Sequence, residues 1–290
     1  MYSPEIVIEA LLNGLMLGAI YALIALGLTL IYGVLHIVNF AHGALLTVAM
    51  FAVWVLSARF GMDPYLSIAI VAPLMFAFGY VLQRFIIGPA SHGKDNSILL
   101  VTLGLSIIIE NALLAGFQSD TRTINTDYSF RVVEIGPLLL SFPRVVGLGV
   151  TVLTTLLLWL VLNRTDTGKA IRAVAKEKLG ASLVGISVPH VYAMTFAIGC
   201  ACLAVAAGLL MPSFYVSPKT GAAFVLVAFT IVVLGGMGSV PGALIGGLVV
   251  GLAEALAAQT VGAEWRGAVA FILLILMLLV RPTGLFGRKE

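Results

Sequence analysis

Few residues in this sequence combine the types and spacing that chemistry needs, and the most suggestive of them sit inside apolar runs. Glu110 and Asn111 adjoin one another in the apolar stretch 98–117, and Glu254 stands towards the end of the stretch 242–257. An ionisable side chain in such a run is costly against hydrocarbon, so it turns to a protein interior or to water. Two readings stay open for Glu110 and Asn111: a polar pair that holds helices together, or part of a polar route through the molecule. His36, Asn39 and His42 recur every third residue in GVLHIVNFAHG and would share a face if that segment were helical. Without an HExxH spacing or a nearby Cys they do not read as a metal site. A tight hydrogen-bonded turn at the cytoplasmic rim accounts for them, as does contact with a partner or a solute route. Cys200 and Cys202 point apart on a helix and lie deep in an apolar run, so they read as inert small residues. The sequence contains no GxxxxGK[ST] and no convincing nucleophile–base spacing. Neither catalysis nor ATP binding is expected of this chain.

The elements that must position these groups are dictated by composition. Of the 290 residues 61% are apolar and only 10% charged, and mean hydropathy is +1.12. A soluble domain carries about a quarter charged residues, so the fold class is an all-α polytopic membrane protein, a single transmembrane domain over residues 1–290. The net charge of +3 is no nucleic-acid signal, because the cations fall in the short gaps between apolar runs, where they orient helices. No basic region precedes the first run, and that run outlasts a signal peptide's apolar core, so it reads as a retained span.

Apolar runs predict about nine transmembrane helices, over residues 6–32, 44–58, 66–87, 98–117, 145–162, 191–210, 222–234, 242–257 and 265–280. The second and eighth are short for a full crossing. Two carry small residues four apart: Gly14, Gly18 and Ala22 in the first, and Ala243, Gly247, Gly251 and Ala255 in the eighth. Such ladders let helix backbones approach closely. Pro64, Pro189 and Pro241 suit first helical turns, and Pro73 falls inside the third run. Residues 118–144 carry balanced charge and belong outside, with alternation over 128–135 that allows a short strand or hairpin. Arg84, His92 and Lys94 mark an inner loop, and Arg281, Arg288 and Lys289 an inner tail. This alternation puts the N-terminus outside and the C-terminus in the cytoplasm.

The longest charged interruption is residues 163–189, NRTDTGKAIRAVAKEKLGASLVGISVP, which holds Arg164, Lys169, Arg172, Lys176 and Lys178 against Asp166 and Glu177. Held between spans 5 and 6, it reads as a cytoplasmic surface segment. Thr165 or Asp166 can cap a helix over 169–185. Ala170, Ala173 and Val174 give that helix a small-residue face suited to a cleft on a cytoplasmic protein, rather than the bulky face of a helix that merely lies on lipid.

Together, GLMLGAIYALIALGLTLIYGVLHIVNFAHG, GKAIRAVAKEKLGASLVGI and GGMGSVPGALIGGLVVGLAE resemble the LivH-type permeases of branched-chain amino-acid ABC importers, over the whole chain and in the expected order. The resemblance implies a bacterial inner-membrane subunit surrounded by membrane lipid. It implies pairing with a LivM-like second permease, two cytoplasmic ATP-binding subunits that hold ATP and Mg, and a periplasmic substrate-binding protein. Residues 163–189 would be the coupling segment, with Arg172, Ala173, Lys176, Leu179 and Gly185 on the surface that meets an ATPase. Arg172-Ala173-Val174 departs from the Glu-Ala-Ala pattern of many ABC permeases, while Gly185 and Ile186 fit its end. Leu, Ile and Val are the implied cargo, with urea or short amides as an alternative within the same importer class. A secondary transporter or channel without an ATPase is a rival of another class, and a membrane-embedded enzyme or assembly scaffold a further one. A zwitterion crossing hydrocarbon needs polar groups along its route; Asn13, Asn39, Glu110, Asn111 and Glu254 are the candidates.

Overall fold

The computed structural model describes residues 4–90, 95–281 and 283–287. His92, Lys94, Arg288 and Lys289, which mark the inner loop and tail in the sequence, lie outside the described residues. Among the described residues the regular structure is helical apart from one hairpin. In order it forms α1 (Pro4–Leu35), α2 (His42–Phe60), α3 (Pro64–Val81), a π-helical stretch (Leu82–Ile87), α4 (Gly88–Ala90), α5 (Asp95–Phe117), β1 (Val132–Ile135), β2 (Leu138–Ser141), α6 (Phe142–Arg164), α7 (Asp166–Lys176), α8 (Lys178–Leu183), α9 (Val188–Leu210), α10 (Thr220–Gly235), α11 (Val240–Thr260), a 3₁₀ turn (Ala263–Trp265) and α12 (Arg266–Val280).

Proline and cap chemistry set several helix starts. Asp63 accepts the Tyr65 N–H at 2.8 Å with Pro64 in the first turn, and Ser239 accepts the Gly242 N–H at 3.1 Å with Pro241 beside it. Both satisfy amides that a helix start leaves orphaned. Pro73 is accommodated inside α3.

Seven helices among the described residues are long and apolar enough to cross a membrane: α1, α2, α3 with its π-helical extension and α4, α5, α6, α9 and α11. The sequence expectation of short second and eighth spans is overturned, since α2 has 19 residues and α11 has 21. Their polar starts, His42 and the glycine-rich turn before Val240, hide the first helical turn from a hydropathy reading. The short apolar helices are instead α10, with 16 residues, and α12, with 15. At 1.5 Å per residue these reach about 24 and 22 Å, less than the roughly 30 Å of a hydrocarbon core.

The centre of the bundle is α1, packed against α11, α9, α10 and α6. Its Gly14–Gly18–Ala22 ladder meets the ladder of α11 directly. A Cβ at Gly18 would stand 2.5 Å from the Gly247 carbonyl oxygen, and one at Gly14 2.7 Å from that of Gly251. The contact is backbone on backbone, which only glycine permits. Gly27 approaches Gly199 of α9 in the same way.

Two helices begin inside the bundle rather than at its ends. His42, fully buried at the start of α2, donates its Nε2–H to the Ile24 carbonyl at 3.0 Å, and Gly27 lies beside its ring. The helical face expected for His36, Asn39 and His42 does not exist, because α1 ends at Leu35 and His36 turns the chain with φ of 56°. His36 is exposed, whereas Asn39 and His42 are buried. The turn is hydrogen-bonded as expected, with Ala41 N–H donating to Asn39 Oδ1 at 3.0 Å. It leads into the interior, however, and does not stay at the rim. α10 starts against the same place: Gly221 abuts the Gly43 backbone, and its N–H donates to Thr47 Oγ1 at 3.0 Å.

At the opposite end of the bundle from residues 163–189, the hairpin pairs Val132 with Ser141 and is pinned to α1 and α3. Tyr128 donates its hydroxyl proton to Asp63 at 2.6 Å and stacks on Tyr65 with ring centroids 5.1 Å apart. Burial, then the hydrogen bond to the Asp63 carboxylate, push the Tyr128 hydroxyl pKa up.

Candidate functional site

Three places in this frame hold the polar groups that a route or a docking surface needs. The first is a cavity of about 570 Å³ between α1, α10, α11 and α12, closed on one side by the segment before α10. Its walls are mainly aromatic and aliphatic, with Phe214 and Phe224 in edge-to-face contact at 5.7 Å and Tyr21 against Phe224 at 6.1 Å. Lys219, Thr220 and Glu254 bring polar groups to it. Glu254 is only 5% exposed, turned to the protein interior as an ionisable side chain in an apolar run should be. Lys219 is exposed and immediately precedes α10, with the Ser217 and Thr220 hydroxyls 3.0 Å apart beside it.

A smaller cavity of about 210 Å³ lies on the other side of Glu254, where Asn13, Arg144 and Gln259 join it. Asn13 and Glu254 are therefore brought together. Asn13 is also a joint: its amide donates to the Glu9 carbonyl at 3.1 Å and the Leu139 carbonyl at 3.3 Å, while its oxygen accepts from Ser141 N–H at 3.2 Å. Arg144 donates to the Asn13 carbonyl at 3.5 Å. These bonds fix the hairpin over the end of α1.

Glu110 and Asn111 stand apart from both cavities. Asn111 is exposed on α5 and donates to the Ile107 carbonyl one turn back at 2.8 Å. Glu110 is part-buried and accepts from Ser106 Oγ at 3.4 Å. Asn39 is separate again, 2% exposed at the buried start of α2, and among the described residues its amide nitrogen has no hydrogen-bond partner.

The third place is the charged segment between α6 and α9. It folds as two helices, α7 and α8, and not as one helix over 169–185. The break is at Glu177, which leaves helical geometry (φ −155°, ψ 104°) and uses its side chain to cap α8 by accepting from Leu179 N–H at 3.1 Å. Thr165 caps α7, accepting from Gly168 N–H at 3.1 Å. The expected outward small-residue face is turned the other way. Ile171 and Val174, three residues apart, are 2% and 3% exposed, and Ala170 and Ala173 pack part-buried beside them. The larger apolar pair has chosen the bundle side, because it gains more by burial than an alanine face does.

The surface left outward includes Arg172, Lys176, Leu179, Leu183, Val184 and Gly185. Leu179, Leu183 and Val184 are 68%, 80% and 77% exposed, and Gly185 takes a left-handed φ of 88° to end the segment. Lys169 donates to Asp166 at 2.9 Å, which holds that carboxyl below its ordinary range. Lys178 sits 5.7 Å from the Tyr192 ring centroid of α9, a cation–π contact tying α8 to the next membrane helix.

Sequence reasoning missed Lys219, Tyr21 and Thr47. Lys219 did carry a signal, as a cation with no neighbouring acid just ahead of an apolar run. Tyr21 and Thr47 carried none, since their roles depend on which helices meet.

Residues 10–278 match the family model described as "Branched-chain amino acid transport system / permease component". The chain is 37% identical to the high-affinity branched-chain amino acid transport system permease protein BraD of Pseudomonas aeruginosa, over 99% of this chain and 98% of that one. It is 35% identical to the LivH permease protein of the corresponding Escherichia coli system, over 98% and 96%. A probable LivH of Methanocaldococcus jannaschii is 27% identical over 91% and 88%. With that coverage and identity, the chain belongs to the LivH/BraD-type family of transport-system permeases, multi-pass proteins of the inner membrane.

Proposed function

We propose that the chain is the permease subunit of an ATP-driven importer for Leu, Ile and Val. It works with a LivM-like second permease, two cytoplasmic subunits that bind ATP and Mg, and a periplasmic binding protein. The observation that carries this reading is the end-to-end likeness to permeases named for that transport system. In this reading the nine apolar helices all cross, α10 and α12 included, with the N-terminus outside and the C-terminus in the cytoplasm. The hairpin then faces the binding protein, and α7 and α8 face the ATPases.

The geometry of residues 163–189 suits force transmission. α7 is held to the bundle through Ile171 and Val174, so its displacement moves α6 and α9 together. The outward patch of Arg172, Lys176, Leu179 and Gly185, with Ala173 at its edge, takes the ATPase contact. When the ATPases close on ATP, the two permeases rock to an outward-open state, and hydrolysis returns them inward. Asn13 and Glu254 lie beside the outer part of the route and Asn39 at its depth, where the starts of α2 and α10 meet. Interior helix starts of this kind are where transporters place polar cargo.

The test is reconstitution of the four kinds of subunit in proteoliposomes, with radiolabelled leucine supplied on the binding protein. Uptake should require ATP on the ATPase side and be unaffected by collapsing a proton gradient. Uptake that follows the proton gradient and persists without the ATPases would sink the proposal, as would ATP hydrolysis by this chain purified alone.

A further inference from the structure

Resting on the amino-acid cargo proposed above, we propose that the cavity between α1, α10, α11 and α12 is a transient zwitterion site. In it Lys219 takes the carboxylate, Glu254 the ammonium, and the aromatic wall of Phe214, Phe224 and Phe271 the branched side chain.

Four observations converge on it. The cavity holds about 570 Å³, within the range of roughly 300–1,000 Å³ typical of small-molecule sites. Its walls are dominantly apolar, and it contains one cation and one acid, Lys219 and Glu254, placed on different elements. That combination matches a molecule with a carboxylate, an ammonium and an aliphatic side chain, and it matches neither a sugar nor a simple ion. Glu254 is buried while still lining the cavity. A carboxylate offers about four lone-pair sites, so contacts with its protein neighbours leave capacity for an ammonium.

Lys219 is placed at the start of α10, where the positive end of the helix dipole adds to its own charge. Tyr215, Leu226 and Phe271, which line the cavity, are 58%, 45% and 46% exposed, so the cavity is open on one side of this chain. The structure also explains how α10 is anchored for this task. Its start is locked to α2 by the Thr47–Gly221 hydrogen bond and the glycine crossing with Gly43, so a shift of α2 carries the start of α10 with it and moves Lys219 relative to Glu254 on α11. A site that weakens when two helices move is what a permease needs, since it must release what it binds.

The decisive experiment uses the complete importer in proteoliposomes and reads leucine carried per ATP hydrolysed. Lys219→Met and Glu254→Gln should each lower that ratio about tenfold or more, and Lys219→Arg should restore most of it. Ala223→Trp, which fills the cavity from an exposed position on α10, should lower it as well without touching either charge. A Lys219→Met importer with a wild-type ratio would overturn the proposal. So would a set of variants in which uptake and hydrolysis fall in parallel, which marks a fold defect. A wild-type importer that hydrolyses ATP but carries no Leu, Ile or Val fails earlier, before any variant is compared, and refutes the cargo reading itself.

Discussion

α1 and α5 are equally apolar and have opposite fates. The most apolar window of each has a mean hydropathy of 2.2, yet that of α1 is 94% buried inside the protein and that of α5 only 17%. The difference lies in what their glycines meet. In α1, Gly14, Gly18, Gly27 and Gly33 each face the backbone of another segment, whereas a Cβ at Gly104 or Gly116 of α5 would meet nothing within 4 Å. Hydrocarbon is as good a solvent for Leu as a protein interior is, so apolarity alone draws no helix to the centre. Close backbone approach does, and small residues in register are its condition.

Breaking that register should have the largest effect of any substitution considered. Gly18→Leu would drive a side chain into the Gly247 carbonyl and the Gly251 Cα, separating α1 from α11 along their length. We expect a loss at or above ~3 kcal/mol, the upper end of overpacking costs, seen as failure to recover folded protein or a large fall in its unfolding temperature in detergent. Gly104→Leu is the matched control and should leave the unfolding temperature unchanged. Equal sensitivity of the two variants would show that the ladder is not what makes α1 central.

A smaller effect is expected where α2 and α10 begin inside the bundle. Thr47→Val keeps the side-chain shape but removes the acceptor of the buried Gly221 N–H. An amide orphaned in this way costs about 1–3 kcal/mol, and the fall in unfolding temperature should be intermediate between the two glycine variants. No shift would mean that the glycine crossing alone fixes the start of α10.

These cases also show what could be read from the sequence. The membrane class, both ladders, the hairpin region, the proline starts and the charged segment were all legible, because each rests on local composition or spacing. That the two ladders pack on one another was not, since either could have met a partner permease. The interior start of α2 was hidden because GVLHIVNFAHG is too short and too mixed to report its depth. The orientation of α7 misled for a definite reason. Ala170, Ala173 and Val174 form a small face on paper, but Ile171 shares that side of the helix and takes Val174 with it to the bundle.

That reversal makes Gly185 a sharper probe of the proposed coupling role of residues 163–189 than Ala173, whose replacement would also disturb packing on the bundle. Gly185 has open space around it and φ of 88°, so Gly185→Val imposes about 1–2 kcal/mol of backbone strain and no clash. The strain falls on the exposed end of the segment, away from the core. Leucine uptake should drop several-fold while the amount of folded permease in the membrane is unchanged. Loss of both together would place Gly185 in folding instead of coupling.

The smallest effect should come from α5, and it bears on the opening contrast. A polar pair in a peripheral helix has two explanations: it lines a route that the partner permease completes, or it is satisfied locally and tolerated. The bonds favour the second, for Glu110 accepts from Ser106 and Asn111 donates to Ile107, both within one turn of α5. Neither residue lines either of the two cavities that Glu254 borders, so neither is placed to meet a solute there. Glu110→Gln keeps the acceptor that Ser106 uses, and Asn111→Ala removes only a bond to a carbonyl already in the helix ladder. In the reconstituted importer each should leave leucine uptake within about twofold of wild type, a difference below 1 kcal/mol. A fall of about tenfold in Glu110→Gln, with folded protein intact, would mean that the carboxylate's charge matters beyond its helix. It would put α5 on the transport route and remove the sharp division between a central helix that shapes the route and a peripheral one that only holds the membrane.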